Sequence, residues 1–183
     1  MTTSLLLAIG LLAAASLIAM LLWSIAFPAK RLWPPVVSTR ANRIGVWVLS
    51  LLVFASALAL AVVDWNQWDW PGSLRWGIGL PMILIGNLVA WRGAARFGMK
   101  ATSGAPGALV TDGIYRYSRN PQYLADIGIF IGAAFLAASP LVALVAAGGI
   151  AVLMIAPLAE EPWLEAIHGD AWLAYRHRTR RYL

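Results

Sequence analysis

The sequence predicts an all-α, multi-pass protein of a lipid bilayer. Three observations predict it: five apolar stretches of spanning length, Lys and Arg gathered in alternate connections, and tryptophans clustered at the stretch boundaries. With 61% hydrophobic and 12% charged residues in 183, and a mean hydropathy of +0.73, the chain has too little polar surface to coat a water-soluble domain. In lipid the outward faces need no such coat.

The first span, about Ser4 to Phe27, carries no charge before Lys30. Its leading Met1-Thr2-Thr3-Ser4 lacks the basic start of a secretory signal, so it reads as a retained helix. The second span runs from about Ile44 to Val63, the third from about Leu74 to Trp91, the fourth from about Tyr123 to Ala138 and the fifth from about Leu141 to Leu158. Only Ser139-Pro140 separates the last two, which predicts a tight antiparallel hairpin. After these, Ala159 to Leu183 reads as an amphipathic helical tail.

Charge sets the orientation. Lys30, Arg31, Arg40 and Arg43 follow the first span, Arg92, Arg96, Lys100, Arg116 and Arg119 the third, and Arg176, Arg178, Arg180 and Arg181 the fifth. Arg75, beside Asp64 and Asp69, falls on the other side. The N-terminus is therefore expected outside and the C-terminus in the cytoplasm. Trp65, Trp68, Trp70 and Trp76 mark the outer boundary, and Trp23, Trp33 and Trp91 the inner one. Residues 1–75 form a unit of two N-terminal helices, and residues 76–183 a unit that holds every chemistry-bearing motif.

Composition also excludes functions. The absence of cysteine removes disulfides, thiolate metal sites and a cysteine nucleophile, and two histidines do not make a multi-histidine metal centre, so no metal is expected. The net charge of +6 lies beside apolar spans and forms no continuous basic face, so no nucleic-acid partner is expected. Membrane lipids are the expected partners, and the apolar first two spans leave surface for self-association.

Two stretches break the plain membrane pattern, both on the cytoplasmic side: Phe97 to Gln122, with Gly98, Gly104, Gly107 and Gly113, and Ala159 to Leu183. Within the first, Leu109 to Tyr123 is dense in hydrogen-bonding side chains and ends where a span begins. Pro121 suits a first helical turn, whose free N–H groups favour an anion. Arg116 and Arg119 strengthen such a site, or else contact lipid phosphate. Glu160 and Glu161 stand together at a membrane boundary, where a sulfonium, an ammonium or a pair of arginines would offset their desolvation, unless they simply begin a helix with Pro162. Asp126 lies about one turn inside the fourth span; an acid at that depth binds a cation or takes a proton, or else pairs with Asn87 or a loop arginine. His168 and His177 read as interfacial packing residues.

The order of these features carries a resemblance. Gly113-Ile114-Tyr115-Arg116-Tyr117-Ser118-Arg119-Asn120-Pro121-Gln122-Tyr123, a two-helix hairpin, and then Glu160-Glu161, Leu164, His168-Gly169, Trp172, Tyr175 and Arg181 resemble the isoprenylcysteine carboxyl methyltransferase and phospholipid methyltransferase superfamily. The likeness covers about Ile78 to the C-terminus. Asn120 stands where that superfamily usually has histidine, Ile114 for proline, His168 for phenylalanine and Trp172 for tyrosine.

The resemblance implies an integral-membrane methyltransferase that uses S-adenosylmethionine on a lipid-like or small hydrophobic carboxylate, amine or thiol, with the active site facing the cytoplasm. It implies cofactor contacts from Gly113, Tyr115, Arg119, Asn120, Pro121 and Tyr123, and from Glu160 and Glu161, with Leu109 and Val110 near the adenine. Arg116, Asp126 and Glu161 are the catalytic candidates, Arg116 to orient a carboxylate and Asp126 to handle an amine. The competing reading is a non-catalytic scaffold or small transporter that keeps the fold; a transporter would carry polar residues near mid-membrane in several spans, whereas here they gather at the cytoplasmic edge.

Overall fold

The computed structural model describes the backbone of residues 1–102 and 107–183; side chains at 94 and 96–102 lie outside the description, so the basic residues Arg96 and Lys100, and Gly104, are not placed. The described residues are α-helical with short 3₁₀ and π turns: α1 (Thr2–Ala26), α2 (Arg40–Val63), α3 (Gly72–Leu74), α4 (Leu80–Thr102), α5 (Pro121–Ala137), α6 (Pro140–His168) and α7 (Asp170–Arg178). A π-helical stretch, Arg75–Gly79, joins α3 to α4.

Four helical segments are long and apolar enough to cross a membrane: Thr2–Ala26, Arg40–Val63, Gly72–Gly93 and Pro140–His168. The fifth expected span, α5, is apolar but only 17 residues long. It is held between α4 and α6 by packing on both sides.

Small residues set the closest of these contacts. A Cβ on Gly79 would lie 2.6 Å from the Leu136 nitrogen, and one on Gly86 2.7 Å from the Ala125 carbonyl, so α4 and α5 meet backbone to backbone. On the other side, α1, α2, α5 and α6 share a core built on Leu17, Val53, Leu60, Phe130, Val142 and Val145. The two N-terminal helices are thus packed onto the C-terminal hairpin.

The hairpin turn is tight, as its sequence predicts. Ala138 takes a left-handed conformation at φ 45°, and Ser139 caps α6 by accepting the Val142 N–H at 3.1 Å, with Pro140 in the first turn. The loop after α2 closes over it: Asn66 and Trp68 donate backbone N–H groups to the carbonyls of Ala137 and Ala138, and the Ser139 hydroxyl donates to Asp64. Arg75, the lone basic residue on this side, is buried under the Trp65 ring and donates to the Leu136 carbonyl at 3.0 Å. It caps the end of α5, which has no capping side chain of its own.

The expected tail takes a different form. α6 does not stop near Leu158; it runs 29 residues, through Pro157 and Pro162, to His168. Each proline removes one helix hydrogen bond, yet the rod persists because Ala159 and Glu161 are buried against neighbouring segments. Beyond it α7 is nine residues and packs Trp172 and Tyr175 inward onto the protein.

Candidate functional site

Three segments meet at one end of the bundle: the 107–120 connection ahead of α5, the last turns of α6, and α7 with the residues after it. Gly113 opens a 3₁₀ turn (Gly113–Arg116) at φ 60°, a left-handed conformation that favours glycine. This turn presses Tyr115 inward against Trp172 and Tyr175, with Leu109, Val110 and Leu164 around them. The Tyr175 hydroxyl donates to the Tyr115 carbonyl at 2.7 Å, tying α7 to the loop. Burial pushes the Tyr175 phenol up to about 12, with Arg119 and Arg178 pulling it back.

Adjacent residues on a helix point about 100° apart, and Glu160 and Glu161 therefore face different partners. Glu161 accepts from Arg119 Nη2 at 2.8 Å and from Arg181 through Nε and Nη2, both at 2.8 Å. Of the three cations that would offset its desolvation, the structure supplies the pair of arginines. These hydrogen bonds raise the Arg181 guanidinium further above its ordinary range. Arg119 also donates to the Arg176 and Thr179 carbonyls, and Ser118 and the Asn120 amide donate to the Arg181 carbonyl. Asn120 thus holds the C-terminal segment with its amide nitrogen.

Glu160 turns the other way. Its Oε1 accepts from the Tyr123 hydroxyl and, at 2.7 Å, from the Trp33 indole. Trp33 comes from the connection between α1 and α2, where the buried Ser24 hydroxyl accepts the N–H groups of Leu32 and Trp33 at 3.0 and 2.9 Å. Nothing in the sequence singles out this contact; Trp33 reads there as one more boundary tryptophan.

Two cavities flank this polar partition. The first, a cleft of about 120 Å³, is lined by Leu109, Val110, Tyr115, Arg119, Trp172 and Tyr175, with Trp163, Leu164 and His168 beside them. Two buried donors on this lining, Trp172 Nε1 and Arg119 Nε, have no hydrogen-bond partner among the described residues. An apolar slot with aromatic rings and such donors suits a flat group that carries hydrogen-bond acceptors. Leu109, Val110, Tyr115 and Arg119 were foreseeable here from the motif; Trp172, Tyr175, Leu164 and His168 lie in the second motif, and Trp163 beside it. The second cavity, about 180 Å³, lies among α1, α2, α5 and α6 and holds Tyr123 and Asp126.

The remaining expected residues sit as follows. Pro121 is buried in the first turn of α5, and Gly113, Asn120, Pro121, Glu160 and Glu161 line neither cavity. Arg116 is exposed, with its guanidinium 5.9 Å from the Tyr117 ring centre, and joins neither cavity. The 3₁₀ turn that buries Tyr115 points its neighbour outward. Asn87 donates to the Ile83 carbonyl of its own helix and is no partner for Asp126.

Comparison with known proteins adds one finding. A family model described as phospholipid methyltransferase matches residues 74–171, more than half of the chain. No curated protein and no solved structure gives a significant match.

Proposed function

Because the chain belongs to the phospholipid methyltransferase family, we propose that it is a multi-pass membrane enzyme that moves a methyl group from S-adenosylmethionine to a lipid-like or small hydrophobic acceptor. The observation that supports the cofactor is the cleft beside α7, with its two unpaired buried donors, Trp172 Nε1 and Arg119 Nε. When bound, S-adenosylmethionine supplies a methyl group on a positively charged sulfur.

The residues of the chain do the rest. Leu109, Val110, Tyr115 and Trp172 would hold the adenine, and Arg119 would offer its Nε–H to a carboxylate or ribose oxygen. Glu161 is a positioning residue: it holds Arg119 on one side and Arg181 on the other, so the C-terminal segment stays closed over the cleft. Glu160, Tyr123 and Trp33 tie α6, α5 and the α1–α2 connection together beside the inner cavity. Methyl transfer from sulfur disperses charge, so alignment and dryness supply most of the acceleration. The one-sided arginines support a cleft that faces the cytoplasm.

The test is calorimetric titration of the detergent-solubilised protein with S-adenosylhomocysteine. Saturable micromolar binding that Arg119→Ala weakens at least tenfold supports the reading; no binding to folded protein would sink it.

A further inference from the structure

The cavity among α1, α2, α5 and α6 contains an acid with nothing to hold. Asp126 lines it, and among the described residues no hydrogen bond or ion pair reaches its carboxylate. The rest of the lining is apolar or aromatic apart from Ser50 and Tyr123, whose hydroxyl is given to Glu160. Among the described residues no lysine or arginine lines it. A half-buried acid in such surroundings is costly unless a cation joins it or a proton neutralises it.

Size and charge narrow the occupant. At about 180 Å³ the space is slightly larger than a cavity of roughly 150 Å³ that admits a benzene ring. It takes a ring or a short alkyl group and does not enclose a diacyl lipid. The lack of a basic side chain leaves a phosphate unpaired, and a carboxylate would face Asp126 with like charge. Arg116, the residue expected to steer a carboxylate, lies on the surface.

We propose that this cavity is a binding site for an apolar amine without a phosphate group, with Asp126 pairing the nitrogen. As the acceptor site of the methyl transfer it rests on the methyltransferase reading; as a binding site it does not. An amine arriving as an ammonium gives one proton to the Asp126 carboxylate. The freed nitrogen lone pair then forms the new N–C bond while the C–S bond of the sulfonium donor breaks, its electron pair staying on sulfur. The product is a methylated ammonium, a neutral thioether and protonated Asp126, so charge and atoms balance.

Trp33, Trp47 and Phe54 in the wall belong to residues before position 74, outside the matched family region. The wall of the acceptor cavity is thus shared between the N-terminal segments and the matched region, which supplies Asp126.

Calorimetric titration of the cofactor-free protein in detergent with 2-phenylethylamine tests the site. Saturable binding is expected, weakened at least tenfold in Asp126→Asn, abolished in the cavity-filling Leu153→Trp, and not seen with 3-phenylpropanoate. Equal binding by Asp126→Asn, or equal binding of the carboxylate, overturns the proposal. Full competition by dioleoylphosphatidylethanolamine in nanodiscs overturns the phosphate-free assignment. S-adenosylhomocysteine titrated separately distinguishes the two readings. Amine binding without it removes the methyltransferase reading and leaves the cavity site standing, whereas S-adenosylhomocysteine binding without amine binding removes the cavity site alone.

Discussion

The Arg181 guanidinium meets the Glu161 carboxylate edge to edge, Nε to Oε1 and Nη2 to Oε2, both at 2.8 Å. This two-point geometry fixes direction as well as charge. Arg181→Lys keeps the charge and loses the fork, while Arg181→Ala loses both. Because Arg181 is 36% exposed, the expected loss of stability for Arg181→Ala is only about 1–2 kcal/mol, below that for a fully buried pair. Thermal unfolding in detergent measures it, and S-adenosylhomocysteine affinity should fall with it. A lysine variant equal to wild type in both would show that charge alone suffices.

Trp33→Phe keeps a ring at the partition and removes the 2.7 Å hydrogen bond to Glu160. The half-buried carboxylate then has Tyr123 as its remaining donor, and stability should drop by about 1–2 kcal/mol. Unfolding temperature is the measurement, with Trp23→Phe as the control, since that indole donates to the Lys30 carbonyl away from the site.

In the cleft, Trp172→Phe removes an unpaired donor while keeping an aromatic face. If that donor meets the cofactor, the affinity for S-adenosylhomocysteine should fall about tenfold, the worth of one hydrogen bond of about 1.4 kcal/mol. Unchanged affinity in calorimetry would remove Trp172 Nε1 from the binding set.

Alkaline pH should loosen the α7 contact. The Tyr175 phenol is pushed up to about 12 by burial, above its unfolded value of about 10. A raised acid binds its proton more tightly when folded. Its contribution is therefore complete below about pH 10 and is lost as pH rises towards 12. Tyr175→Phe should flatten that alkaline decline, read as unfolding temperature against pH. A parallel decline in the variant would place the effect elsewhere.

Packing between α4 and α5 predicts opposite outcomes for two glycines. Gly79→Ala forces a Cβ to 2.6 Å from the Leu136 nitrogen, whereas nothing lies within 4 Å of a Cβ at Gly128. Gly79→Ala should cost about 1–3 kcal/mol. Gly128→Ala should be neutral or stabilise by up to about 1 kcal/mol. Unfolding midpoints of the two variants provide the check.

Much of this arrangement was legible in sequence because membrane helices announce themselves locally. Apolar length, Ser139-Pro140 and the Gly113–Tyr123 motif each depend on near neighbours, and the helices, the hairpin and the Tyr115 and Arg119 lining follow from them. What was not legible depends on distant partners. Pro162 looks like a helix start, yet α6 continues through it, with Glu161 beside it tied to Arg119 and Arg181. Arg116 and Arg119 look equivalent in the motif, and only the inward turn at Tyr115 sends one to the surface and the other to Glu161. Trp33 acquires its role from Glu160, 127 residues away.

The Glu161 clamp also imposes an order of events during synthesis. Arg119 emerges first, its acidic partner 42 residues later, and Arg181 another 20 residues after that. Between the first and the last of these, the whole of α5 and α6 is made. Arg119 therefore waits with its carboxylate partner not yet made, and the clamp closes only when the last residues arrive. A nascent chain halted between α6 and Arg181 would hold every long helix with the clamp still open.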